Sequence, residues 1–326
     1  MEFNLSDVQQ SWKSKAASLG RDLPAAARAS DVIMGAARVG LIDPQIDLLA
    51  ATVAVEAMAG ETASAALAFA LHTSIVLSVA GDERFTALTR GETVAAVGLS
   101  SDDVAIEHAG KLSGRASWVG PLTNGGIAVL GVRRGSADDA LRSAVVIGLD
   151  QLGLAVEDVQ TAALSGFVCG HLRLDDVLFA EIGSPLPIMA RIRTLLAAAG
   201  LGMGKRALRE ALQTARTQSH RGAGGEQTVQ GLLADAATEL DAATMLTYKA
   251  ATSPTPTLAE ASMAKLAATE ATQRAVARAT QVVGADSLRG GHVVERLAQD
   301  VRALELFAGR TEALREAVAE AALPRA

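Results

Sequence analysis

Apolar residues recur at three- and four-residue intervals along the first part of the chain. Ser6 precedes "DVQQSWKSKAASLG" and predicts a helix start, with Gly20 as its stop. "DPQIDLLAATVAVEAMAG" and "TASAALAFALHTSIVLSVAG" carry the same spacing to Gly60 and Gly81. Near residue 91 the pattern changes. "ETVAAVGLS", "GKLSGRASWVG", "GGIAVLGV", "SAVVIGL", "TAALSGFVCGHLRL" and "DDVLFAEIG" are short, rich in Val, Ile and Leu, and separated by Gly, Asp and Ser. That punctuation predicts a small antiparallel sheet or barrel.

Helical spacing returns near residue 186. "PIMARIRTLLAAAGLGMGKRALREALQTA" predicts one long helix, and "HRGAGG" breaks it. "EQTVQGLLADAATELDAATMLTYKAA" places Val229, Leu232, Leu233, Ala236, Leu240, Ala243 and Leu246 on one face. "SPTPT" is a turn. "LAEASMAKLAATEATQRAVARATQVVG" and "VVERLAQDVRALELFAGRTEALREAVAEAAL" complete a four-helix set. The expected fold is mainly α with a small β-domain. A helical domain spans 1–88, a β-domain spans 89–184 and a four-helix bundle spans 185–326.

Composition agrees with that division. The chain has 326 residues, of which 49% are apolar and only 3% aromatic. Much of the apolar share is alanine, the best helix former. The net charge of -6 comes without a long basic run, which argues against nucleic acid as a partner. A single cysteine, Cys169, excludes an internal disulfide and a multi-cysteine metal site. The five histidines (72, 108, 171, 220 and 292) show no metal-ligand spacing. "MEFNLSDVQQSW" does not read as a signal peptide. No stretch of about 18 residues is apolar enough to suggest a membrane span, so the expected location is cytoplasmic.

Four stretches resemble the acyl-CoA dehydrogenase family. "RTQSHRGAGGEQTVQGLLADAATELDAATMLTYKAA" is similar to its arginine loop and the helix that follows. "SMAKLAATEATQRAVARATQVVGADSL" is similar to a helix ending in Gln, two apolar residues and a Gly-Gly turn. "VVERLAQDVRALELFAG" is similar to its charged helix and Tyr-Glu-Gly-Thr segment. "GRASWVG" is similar to a strand ending in an aromatic, an aliphatic and a hydroxyl residue. The resemblance implies three domains in the expected order, FAD held where two subunits meet, an oligomer, and an acyl-CoA substrate.

Residue by residue, the resemblance gives Arg216 the role of the arginine that reaches the FAD pyrophosphate of the adjoining subunit. A guanidinium forks onto two phosphate oxygens, which suits that task. Gln281, Gly284 and Ala285 match the turn that approaches the ADP half, with Ala285 replacing a glycine. A plain helix C-cap at Gly284 is the alternative. Trp118 matches the aromatic beside the flavin ring, and a core tryptophan is the alternative. Gly120 stands where the family has a flavin-binding hydroxyl. Ser100 and Ser101, in "GLSSDD", stand in for a longer flavin- and substrate-touching loop.

The family's catalytic base is a glutamate at one of two positions, and such a base contributes roughly 10²–10⁴ in rate. Those positions are Ala308 and Ile192 here, and neither is acidic. Glu305 and Glu312 flank Ala308 about one helical turn away. Arg310 replaces a small hydroxyl residue that would face the flavin, and a buried guanidinium there would need a carboxylate partner. Arg193, next to Ile192, is a candidate to orient the thioester, with a helix-surface arginine as the alternative. Glu295, Arg296, Asp300 and Arg302 match a charged helix face with structural roles.

The resemblance therefore retains features that serve a neighbour's cofactor and lacks those for the chain's own chemistry. It implies a subunit that pairs with a homologous catalytic chain to complete an FAD site for desaturating an acyl-CoA. A self-sufficient flavin monooxygenase of the same fold, or a non-catalytic structural homologue, are the alternatives.

Overall fold

The computed structural model describes residues 4–99, 105–108, 110–134, 143–218 and 226–323. Ser100, Ser101 and His220 lie outside them. The N-terminal helices are α1 (Asp7–Asp22), α2 (Ala29–Arg38), α3 (Leu48–Ala59), α4 (Ala63–Ser78) and the single turn α5 (Thr86–Thr89). Ser6 starts α1 with a reciprocal capping box to Gln9, so the predicted start stands, but the helix runs through Gly20 to Asp22. Asp47 caps α3 by accepting the Ala50 N–H at 2.7 Å. Nearly every side chain of α3 and α4 is buried.

The middle of the chain is one mixed sheet of eight strands: β1 (Ala95–Gly98), β2 (Ala105–His108), β3 (Lys111–Val119), β4 (Ile127–Arg134), β5 (Ser143–Gly148), β6 (Leu154–Val159), β7 (Cys169–Val177) and β8 (Ala180–Gly183). The strand order is β6-β7-β3-β2-β4-β5-β8, and β1 also pairs with β4. Most pairings are antiparallel, as expected. Two are not: β1 and β2 lie end to end along one edge of β4 and run parallel to it. Alternating hydrophobicity does not distinguish that arrangement from an antiparallel one.

The C-terminal helices are α6 (Pro185–Gln218), α7 (Glu226–Ala251), α8 (Leu258–Val283), α9 (Val293–Leu306) and α10 (Thr311–Ala322). The last predicted helix is therefore two. Ala308 at φ 56° and Gly309 at φ 112° turn the chain between them, and left-handed backbone cannot continue a right-handed helix. α8 opens with a capping box from Thr257 and Glu260. Helix α6 is long and apolar enough to cross a membrane, but 78% of its most apolar stretch is buried against the rest of the protein.

α6 is the element shared by both helical domains. A Cβ at Gly202 would lie 2.2 Å from the Glu56 carbonyl oxygen and 2.8 Å from Ala59 Cβ, so only glycine lets α6 meet α3 backbone to backbone. Beside that contact the Glu56 carboxylate is buried. It accepts from Lys205 Nζ at 2.8 Å and from the Tyr248 hydroxyl at 3.0 Å, joining α3, α6 and α7. Burial and the Glu56 charge hold the Tyr248 phenol far above its ordinary value.

Candidate functional site

The two expected base positions come together near the α9–α10 corner. Ile192 is buried on α6 in one core cluster with Leu195 and Leu196, and the partly buried Phe307 and Ala308 pack against that cluster. Ala308 sits at the corner, and its carbonyl accepts from Arg193 Nε at 2.9 Å. Arg193 Nη1 donates to Ser262 Oγ at 2.7 Å. Arg193 is therefore an interior residue, only 7% exposed, rather than a helix-surface arginine. Burial lowers its pKa to about 10.

A second cation lies in the same place. Lys265, fully buried on α8, donates from Nζ to the Glu305 carbonyl at 3.1 Å and the Gly309 carbonyl at 2.8 Å. Burial, with a contribution from the Arg193 charge, pushes its pKa down to about 7, against an opposing influence from Glu305. Arg193 and Lys265 thus cap the carbonyls at the end of α9, where the helix dipole is negative. The sequence reading missed Lys265. The available signal was its place on the small-residue face of α8, with Ala261, Ala268 and Thr272.

Of the two carboxylates that flank Ala308 in sequence, neither lies free at this corner. Glu305 turns away, accepting from Gln273 Nε2 at 2.6 Å and from Thr311 Oγ1 at 3.0 Å. Glu312 is exposed in the first turn of α10. The concern over a buried Arg310 does not arise, because that side chain is exposed at the start of α10. Asp300 accepts the Leu164 N–H at 2.6 Å, and burial raises its pKa. It binds α9 to the β6–β7 connection.

On the β-domain, the β3–β7 register shifts between Ala116 and Val119. Within that irregularity Trp118 takes φ 55° and is 53% exposed. A bulge of this kind re-aims a side chain, and here it turns the indole outward, so Trp118 is not a core residue. The His171 ring meets it edge-on with centroids 5.6 Å apart. Two residues on, a Cβ at Gly120 would lie 2.9 Å from Phe167 Cε1 and 3.1 Å from Cys169 Cβ. Phe167 itself packs edge-on against Phe307 at 5.4 Å. The position has no room for the hydroxyl-bearing side chain that the resemblance expects, and sequence spacing gave no hint of Phe167.

The dinucleotide candidates have a different setting. α6 and α8 run parallel, as the contacts Arg193–Ser262 and Thr272–Gly200 show, so their C-termini share one end of the bundle. Arg216 is exposed in the last turn of α6. Gln281, Gly284 and Ala285 are exposed at the end of α8, and no atom lies within 4 Å of a Cβ built on Gly284. Gly284, at φ 72°, is also the C-cap of α8, so the two roles weighed for it are compatible. Among the described residues no cluster of metal-ligating side chains exists.

Residues 187–323 match the family model described as "Acyl-CoA dehydrogenase, C-terminal domain". Among curated proteins, the chain is 31% identical over 228 residues to the mitochondrial short-chain specific acyl-CoA dehydrogenase of Bos taurus, covering 64% of this chain and 55% of that protein. It is 27% identical over 231 residues to 3-sulfinopropanoyl-CoA desulfinase of Paraburkholderia xenovorans (strain LB400), covering 64% and 58%. The match thus spans a little over half the length of these relatives. The butyryl-CoA dehydrogenase structure from Megasphaera elsdenii superposes with a TM-score of 0.85 at 20% identity, covering 99% of this chain and 100% of that one. The structure of PigA with FAD and proline superposes at 0.82 with 17% identity, covering 99% of each chain. By sequence, residues 187–323 are similar to the acyl-CoA dehydrogenase C-terminal domain, and from end to end the chain shares the fold of butyryl-CoA dehydrogenase.

Proposed function

We propose that this chain is a subunit of an acyl-CoA dehydrogenase-type oxidoreductase that pairs with a catalytic homologue. The pair holds FAD between its chains and desaturates an acyl-CoA thioester with a base supplied by the partner. Solved relatives carry FAD, as PigA does, which supports the cofactor. Arg216 reaches the pyrophosphate, while Gln281, Gly284 and Ala285 admit the ADP half. Their exposure at one end of the bundle fits a ligand shared with another chain. Trp118 offers an exposed aromatic face to a flat ring.

The observation that carries the reading is the α9–α10 corner. Ala308 and Ile192 occupy both base positions, and the Ala308 carbonyl is tied to Arg193 at 2.9 Å. Arg193 is spent on that corner, so we assign it to holding the corner and no longer to orienting the thioester. The crowding of Gly120 by Phe167 counts against a self-sufficient monooxygenase, which needs a complete ring site of its own.

The test is to purify the chain alone and together with a homologous acyl-CoA dehydrogenase chain that carries the glutamate. Flavin absorbance and thioester desaturation are read in both. Stoichiometric flavin and turnover are expected only in the mixed complex. Normal desaturation by the isolated, flavin-loaded chain would overturn the proposal.

A further inference from the structure

A cleft of about 520 Å³ opens between the N-terminal helical domain and the far end of the bundle. It is remote from the dinucleotide candidates: its walls come from residues 44–49 before and within α3, from Leu77 at the end of α4, and from the α7–α8 turn around Pro254. Interdomain clefts of roughly 300–1,000 Å³ are the usual size and place for small-molecule sites. Ile46, Leu49 and Leu77 give this one an apolar wall.

Arg191 is the one cation in the wall. Nη1 donates to Ser78 Oγ at 3.0 Å and Nε to the Pro254 carbonyl at 3.3 Å. Among the described residues no carboxylate lies within ion-pair distance of it, and Nη2 has no hydrogen-bond acceptor. The acid in the same wall, Asp47, is already committed to the Ala50 N–H at 2.7 Å and to Gln9 Nε2 at 3.5 Å. Burial lowers the Arg191 pKa. Arg191 is half-buried at the mouth of an apolar wall, where a planar guanidinium suits a carboxylate; two of its arms are fixed by neutral acceptors while a third is unused.

We propose that this cleft binds a small amphiphilic carboxylate, with Arg191 on the carboxylate and the apolar wall on a short hydrocarbon tail. The volume suits a free acid of medium length. The inference does not rest on subunit pairing or on FAD.

Octanoate is the probe, titrated into the full chain by calorimetry, with octanol and inorganic phosphate as parallel arms. One saturable octanoate site per chain is expected. Octanol and phosphate should each bind at least about tenfold more weakly, since one lacks the charge and the other the tail. Arg191→Gln should weaken octanoate by at least about tenfold and Arg191→Lys by less. Arg84→Gln, at an exposed ion pair with Asp82, should leave it unchanged. Circular dichroism checks that each variant is folded. Absence of saturable binding up to about 10 mM, well above the millimolar range expected of one charged contact, overturns the proposal. So does a folded Arg191→Gln that binds octanoate as the wild type does, or phosphate binding as tightly as octanoate.

Discussion

Arg193 Nε donates to the Ala308 carbonyl at 2.9 Å, across 115 residues of sequence. The bond holds the backbone at Ala308, one of the two positions that the resemblance assigns to a catalytic glutamate. Arg193→Met should leave the partly buried Ala308 carbonyl without its donor, while Ser262 Oγ keeps its bond to the Leu258 carbonyl, costing roughly 1–3 kcal/mol. A fall in the thermal midpoint checks it, with Arg193→Lys falling less. A midpoint equal to wild type would show that the corner does not depend on the guanidinium.

Lys265 gives the fold a signed pH dependence. The unfolded chain keeps this proton up to about 10.5, whereas the folded chain releases it near 7. Between those values the unfolded state binds more protons, so the stability of the fold rises with pH there. The slope is at most about 1.4 kcal/mol per pH unit. Denaturant unfolding at pH 7, 8 and 9 of wild type and Lys265→Met isolates the effect, because the difference between the two should carry the slope. A constant difference would mean that Lys265 keeps its charge when folded.

Crowding at Gly120 is testable by filling it. Gly120→Ser should destabilise by about 1–3 kcal/mol, because the added Cβ meets Phe167 and Cys169. Combining it with Phe167→Ala should cost less than the two single changes added together, as neighbours sharing one space are not additive. Simple additivity in a thermal-midpoint cycle would place the strain elsewhere.

The Glu56 carboxylate serves two donors. Tyr248→Phe should cost about 1–2 kcal/mol, the worth of one hydrogen bond to a charged group. Glu56→Leu should cost more, on the order of 3 kcal/mol, because it leaves Lys205 without its carboxylate. Equal losses by chemical denaturation would mean that the lysine finds another partner.

Under the proposed pairing, Arg216→Ala should weaken FAD retention of the mixed complex by about tenfold or more, since charge-assisted phosphate contacts are the strong ones. The thermal midpoint of the isolated chain should hardly move, because Arg216 is exposed. Unchanged retention would remove Arg216 from the cofactor site.

Much of this architecture is legible in residue order. Ser6, Asp47 and Thr257 announce helix starts in polar chemistry that needs no tertiary context. The break between α9 and α10 is not legible, because "LFAGRTEAL" has helical composition and the turn depends on Ala308 adopting φ 56°. The backbone there is held by Arg193 and Lys265, both far away in sequence. Trp118 and Ala308 are singled out by motif order, since each sits at a fixed offset in a recognisable string. Phe167 and Lys265 are not, because their importance comes only from what the fold brings beside them.

The meeting of α6 and α3 at Gly202 is made from main chain, so it is indifferent to whatever reactive groups either helix displays. Side chains at the α9–α10 corner can therefore change without touching the contact that joins α3 to α6. Selection for assembly and selection for chemistry then fall on separate residues, and each can drift without disturbing the other.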